Sequence, residues 1–101
     1  MKAAVLEGVK KITIKDVSVP ELQEGQIEIK VSAVGVCGSD VHLWKQGKGW
    51  NPNQQNDFIM GHEFCGVVTK TKSDKFEIGD RVTFWANLYC GECDMCRQGL
   101  D

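Results

Sequence analysis

Three side chains able to hold a metal stand beside glycines in two short segments. Cys37 lies in G-V-C-G-S-D-V-H, residues 35–42, and His62 and Glu63 lie in G-H-E-F-C-G, residues 61–66. A thiolate, an imidazole and a carboxylate are donors that a catalytic zinc site uses while keeping a fourth position open to water or substrate. A second group, Cys90-x2-Cys93-x2-Cys96, has the spacing of a structural zinc site. Two metal centres of different chemistry point to an enzyme or a piece of one.

Each residue alone is a weak signal. A lone cysteine is most often a small core residue, and a lone histidine most often a surface or satisfied core group. Context shifts the reading. Cys37 is flanked by Gly35 and Gly38, which let backbone crowd a ligand, and His62 sits between Gly61 and an acid. Cys65 reads as core packing. An iron–sulfur run of the C-x2-C-x2-C-x3-C type needs cysteine at position 100, where this chain has Leu100. A C-x2-C redox pair lacks the strand–helix–strand context it would need.

Short strands must position these groups. Residues 1–18 read as a hairpin turning at Glu7-Gly8. In residues 26–34, Ile27, Ile29, Val31 and Ala33 alternate with Glu28, Lys30 and Ser32. That period of two predicts a central strand with the four apolar residues inward. It runs straight into Cys37, so the thiol hangs at the end of a rigid element. Residues 39–45 can form one or two helical turns, with Ser39 as a candidate N-cap. Residues 46–57 are rich in Gly, Asn and Pro and read as a long irregular loop. Residues 58–71 return to strand, with Gly61 and Gly66 as bulges or close approaches. Residues 73–79 turn, residues 81–85 form another strand, and a cysteine-bearing loop follows from Asn87. Strands separated by turn residues predict a mostly-β fold with little helix.

Composition excludes several classes. The chain has 101 residues, 42% apolar and 26% charged, which is ordinary globular composition for one domain. A net charge of −2 with scattered Lys and Arg leaves no nucleic-acid footprint. No apolar stretch approaches a membrane span or a secretory leader. Five cysteines without such a leader favour a reducing compartment, read as cytoplasmic, and metal rather than disulfides. The sequence stops at Asp101, soon after a cysteine cluster one ligand short of four, and is expected to be a truncation of a longer protein.

Taken in order, Cys37-Gly38-Ser39-Asp40-Val41-His42, Gly61-His62-Glu63-Phe64-Cys65-Gly66, Gly79-Asp80-Arg81-Val82 and the Cys90, Cys93, Cys96 run with Gly99 cover nearly the whole chain. As a set they resemble the N-terminal GroES-like catalytic domain of zinc-dependent medium-chain dehydrogenases/reductases, nearest the sorbitol, threonine and 2,3-butanediol dehydrogenase branch. The resemblance implies a GroES-like distorted barrel with short helical turns, truncated before a Rossmann domain. Residues 1–101 would be a partial catalytic domain without the cofactor-binding domain.

It also implies roles. Zinc on Cys37 and His62 would act as a Lewis acid on the oxygen of a small alcohol or polyol. Hydride would leave the carbinol carbon for NAD or NADP, held by the missing domain. Glu63 would be the third ligand, or stand behind the site if another residue fills that place. Ser39 and His42 would pass the released proton towards solvent, and Asp40 would orient His62 or brace the loop. Cys90, Cys93 and Cys96 would hold a second, structural zinc with a fourth cysteine at position 104. The full-length protein would be a dimer or tetramer, with neither nucleic acid nor membrane as partner.

The chain departs from the family at Asp57, where a proline is common, at Thr71, where a glycine is usual nearby, and in residues 46–57. Trp44 and Trp50 are candidates for the pocket wall. A different class remains open: a stand-alone, non-catalytic zinc-binding β-domain acting as an interaction module. A thiol redox protein is the third.

Overall fold

A computed structural model describes residues 1–49 and 58–100. Two three-stranded antiparallel sheets and two short helices make up these residues. The first sheet has the order β2-β1-β4, from β1 (Lys2–Gly8), β2 (Lys11–Asp16) and β4 (Phe58–Ile59). The second has the order β3-β5-β6, from β3 (Ile27–Gly35), β5 (Glu63–Thr71) and β6 (Arg81–Thr83). Helix α1 (Gly38–Gln46) follows β3, and α2 (Asp94–Arg97) lies in the cysteine segment.

The hairpin at the N-terminus forms as its alternation predicts. Ala4 pairs with Ile14 and Val5 with Thr13, and Leu6 pairs with Ile12 before the register slips at Gly8. The turn falls on Val9 and Lys10, two residues beyond the Glu7-Gly8 expected from sequence. Glu7 collects Lys11, Lys15 and the Thr13 hydroxyl. Val5 and Leu6, neighbours on opposite faces of β1, are both buried. Leu43 of α1 and Val68 of β5 are buried as well.

Three expectations fail here. The segment 26–34 is a strand, but it lies at the edge of its sheet, and β5 is the central strand. Its inward face also fails: Val31 and Ala33 are exposed, and Ile27 and Ile29 are only half-buried. The pairing slips between Glu28 and Ile29, where the extra residue is Thr69 of β5, and again between Val31 and Ala33, where it is Ser32 of β3. The extra residue in β3 interrupts its own alternation between Val31 and Ala33, so strict alternation in sequence does not become one inward face. Cys65 was expected in the core and is exposed instead. It pairs with Ala33 and Thr83.

The return strand is interrupted, with Met60 to His62 separating β4 from β5. Gly61 makes that break with φ of +99°, a backbone state that side chains rarely adopt. Gly66 is a close approach. A Cβ there would overlap the Lys30 carbonyl oxygen and lie 2.6 Å from Ile29 Cγ2. The strand expected over 81–85 is shorter, ending at Thr83. The cysteine segment is not all loop, because α2 forms within it. The loop expected over 46–57 and its Trp50 lie largely outside the described residues.

Candidate metal centres

Helix α1 places the first donor. Cys37 is its N-cap, in extended backbone at φ −96° and ψ 158°, so the N-cap is not Ser39. Asp40, three residues on, accepts a hydrogen bond from the Cys37 amide through Oδ2 at 2.9 Å. This is the returning half of a capping box, and an acid in the first turn also complements the helix dipole. The other two donors come from the start of β5, just past the Gly61 break. Gly35 of β3 pairs with Glu63, which sets the end of β3 beside the start of β5.

The result is convergence. One donor atom each from Cys37, His62 and Glu63 lies within 4.8 Å of the others, although Cys37 and His62 are 25 positions apart in sequence. Ser39 donates to the Cys37 sulfur at 3.3 Å and its Oγ lies 3.4 Å from His62 Nε2. On the far side of the ring, His62 Nδ1 is 3.3 Å from Asp40 Oδ1. That oxygen is buried and makes no well-aligned hydrogen bond, so the ring is its nearest partner. Because a carboxylate only accepts, Nδ1 carries the proton, and Nε2 keeps its lone pair facing the sulfur side. Asp40 therefore touches both the thiol residue's backbone and the imidazole.

The ionisations follow the geometry. The Ser39 hydroxyl and amide hold the Cys37 thiol below its ordinary pKa, helped by His62 and opposed by desolvation and Glu63. His62 is raised, chiefly by its contact with Cys37 and further by Asp40. A thiolate, an oriented imidazole and a carboxylate form a donor set that fits tetrahedral zinc with one open position.

Residues 90–96 form the second cluster, and here too the donor atoms lie within 4.8 Å. The Cys90 and Cys96 sulfurs are 3.8 Å apart. Zinc–sulfur bonds of about 2.3 Å imply tetrahedral S···S edges of about 3.8 Å, so this spacing fits zinc and is far from a disulfide. Backbone amides aim at the sulfurs: Glu92 and Cys93 donate to Cys90 at 3.4 Å, and Cys96 donates to Cys93 at 3.5 Å. The amides of Glu92 and Cys93, with the neighbouring thiols, lower the Cys90 pKa to about 7. Three thiolates fit three corners of a structural zinc site.

His42 stands apart from the first cluster. It is exposed on α1, and its Nε2 accepts from the Gln46 side-chain amide at 2.9 Å. Trp44 lines an apolar cavity of about 610 Å³ together with Val31, Val34 and Ile59, and its ring lies 5.6 Å from Lys10 Nζ. That cavity holds none of the three donor residues. A smaller one of about 330 Å³ does, lined by His62, Glu63, Phe84, Trp85, Ala86 and Asn87. The last four were not singled out from sequence. The signal was pairing: Cys65 lies opposite Thr83, so the residues that follow β6 run towards Phe64 and Glu63. The stacked rings of Phe64 and Phe84, with centroids 4.9 Å apart, bear this out.

Fold and site together define a mostly-β domain carrying two thiol-containing side-chain clusters of different donor chemistry that could hold a metal. The family model of the alcohol dehydrogenase GroES-like domain matches residues 23–101, and the chain belongs to that family. It is 40% identical over 101 residues to a sorbitol dehydrogenase of Bacillus subtilis, covering 98% of this chain and 29% of that protein. It is 39% identical over 94 residues to a D-arabitol-phosphate dehydrogenase of Enterococcus avium, covering 90% of this chain and 26% of that one. Among solved structures, an oxidoreductase/dehydrogenase of unknown specificity from Escherichia coli superposes with a TM-score of 0.86 at 34% identity. That match covers 98% of this chain and 29% of the other. A putative zinc-binding dehydrogenase from Sinorhizobium meliloti, bound to NADP, gives 0.80 at 35% identity, over 97% of this chain and 28% of the other. The chain thus spans less than a third of the length of these relatives. Among the described residues, no helix is long and apolar enough to cross a membrane.

Proposed function

We propose that this chain is the zinc-binding part of an oxidoreductase that moves hydride between a secondary alcohol or polyol carbon and NAD or NADP. The observation that carries the reading is the meeting of Cys37, His62 and Glu63 beside the 330 Å³ cavity. The family membership and the names of the relatives support the reaction class. Residues 1–101 are then part of a catalytic domain, and the nicotinamide is held by a domain elsewhere in the polypeptide.

Cys37, His62 and Glu63 would hold the catalytic zinc. Zinc bound there supplies Lewis-acid polarisation of the substrate oxygen. The chain's own groups do the rest. Asp40 fixes the His62 tautomer through Oδ1 and the position of Cys37 through Oδ2. The Ser39 hydroxyl, within 3.4 Å of both Cys37 Sγ and His62 Nε2, is placed to accept the substrate's proton. His42 is exposed one helical turn further on, where an imidazole can exchange that proton with solvent. Its route from Ser39 needs an intervening hydroxyl or water, since His42 itself contacts Gln46. Cys90, Cys93 and Cys96 would hold a structural zinc with one further donor. With its net charge of −2, the protein fits a cytoplasmic enzyme of small molecules, homo-oligomeric at full length, with no nucleic-acid or membrane partner.

The test is alcohol-dependent NAD(P) reduction by the whole polypeptide, with sorbitol and 2,3-butanediol as substrates. Turnover is expected, with loss of at least a thousandfold in Cys37→Ser at unchanged circular dichroism. No turnover with any secondary alcohol would defeat the reading.

A further inference from the structure

We infer that the turn of the first hairpin caps the C-terminus of α1 through the Lys10 amide and so positions the Cys37 and Asp40 end of that helix at the first donor cluster. The inference rests on the reading of Cys37, His62 and Glu63 as a metal site and adds two positioning residues to it, Lys10 and Gly47.

Helix α1 needs outside support. It has nine residues, and of these Asp40 and Leu43 are buried. Helices shorter than about 12 residues are marginal on their own in water. The last carbonyls of a helix also lack partners within it. Here the Leu43 carbonyl accepts from the Gly47 amide at 2.8 Å, in the helix's own cap. The Trp44 carbonyl accepts from a different element, the Lys10 amide, at 2.7 Å.

Both segments take unusual backbone states to make this contact. Lys10 has φ of +56° and is the sole non-glycine with positive φ among the described residues, a state unfavourable for a side chain. Gly47 has φ of +74°, and a Cβ on it would overlap the Val9 amide nitrogen and lie 2.5 Å from the Gly8 carbonyl carbon. The helix end and the turn therefore meet backbone to backbone. The Lys10 ammonium, 5.6 Å from the centre of the Trp44 ring, adds positive charge where the helix dipole is negative.

The contact joins the donor cluster to the first sheet. His62 and Glu63 stand at the start of β5, in the second sheet. Cys37 and Asp40 stand at the start of α1, whose far end rests on the turn between β1 and β2. Strand β1 carries the buried Val5 and Leu6, so that turn is fixed to the core. Donors must be held within about 0.5 Å of their working geometry. A short helix released at one end tilts at the other, which takes Cys37 and Asp40 away from His62.

The test follows cobalt(II) binding in the chain with Cys90, Cys93 and Cys96 all changed to Ser. Adding Gly47→Ala or Lys10→Pro should weaken binding about tenfold, the lower end for groups that position metal ligands, and shift the d–d bands at unchanged circular dichroism. Lys10→Asn, which keeps the N–H in a residue tolerant of positive φ, should bind as the parent does. Hydrogen exchange in the parent is a second readout, independent of how the variants fold. Coupling between sites is reciprocal, so cobalt should slow exchange of the Lys10 amide about tenfold more than that of the Val17 amide. The Val17 amide is bonded to the Met1 carbonyl at the open end of the same hairpin. Full cobalt affinity in folded Gly47→Ala, or equal exchange effects on Lys10 and Val17, would overturn the inference. Those outcomes with cobalt bound defeat the positioning alone, whereas no binding in the parent defeats the metal reading as well.

Discussion

Asp40 is the residue on which the first centre's geometry hangs. It is 6% exposed, and its two oxygens reach the Cys37 amide and the His62 ring. Asp40→Asn keeps the volume but places an amide where an acceptor is needed. Zinc affinity at the first centre should fall about 10- to 100-fold, the range found for partners of metal-binding histidines. Competition with a chelator would measure it, and an unchanged affinity would remove Asp40 from the site. The pH dependence has a definite sign. His62 is raised, so protons compete for the imidazole from above its ordinary value of about 6.5. Zinc affinity should therefore begin to decline above pH 6.5 as the solution is acidified. In the metal-free chain, His62 contributes stability below its ordinary pKa and loses it as pH rises through the raised value. Cys37, lowered, contributes above the ordinary thiol value and loses it as pH falls through its own. Cys90 offers a cleaner readout. Its alkylation rate in the metal-free chain should reach half-maximum near pH 7, against about 8.5 for an unperturbed cysteine. A midpoint at the ordinary value would deny the amide cradle around its sulfur.

At the scale of elements, the first hairpin, α1 and the strand character of β3 and β5 were all legible in the sequence. Alternation and turn residues carry that information locally. The sheet order was not legible. Residues 26–34 alternate cleanly, yet among the described residues β3 is an edge strand, and its register with β5 slips at two points. A bulge is a property of a pair, and one strand's sequence does not contain it. Helix α2 was missed for a related reason: four residues carry no periodicity, and sulfur-directed amides hold them. The Cys37, His62 and Glu63 donors were legible as motifs, while the walls at Trp85 and Asn87 depend on β6 pairing with β5. Gly66 tests that sheet. Adding a methyl there meets the Lys30 backbone, which cannot turn aside as a side chain would. Gly66→Ala should cost about 1–3 kcal/mol. For a domain this size each kcal/mol lowers Tm by roughly 4–8 °C, so calorimetry would resolve it.

For the whole molecule, the two donor clusters lie in different parts of the fold. The first brings the end of β3, the start of α1 and the start of β5 to one point. The second lies in a segment that has no buried residue of its own in α2. Loading metal should therefore stabilise the chain as a whole, since ligands that bind only the folded state raise its stability in proportion to occupancy. The central claim is that Cys37, His62 and Glu63 form one metal site, and cobalt(II) can report on it directly. In a variant with Cys90, Cys93 and Cys96 all changed to Ser, titration should end at one cobalt per chain, with tetrahedral d–d absorption and a thiolate-to-cobalt charge-transfer band. Cys37→Ser in that background should abolish the band. A band that survives Cys37→Ser, or no stoichiometric binding at all, would contradict the site.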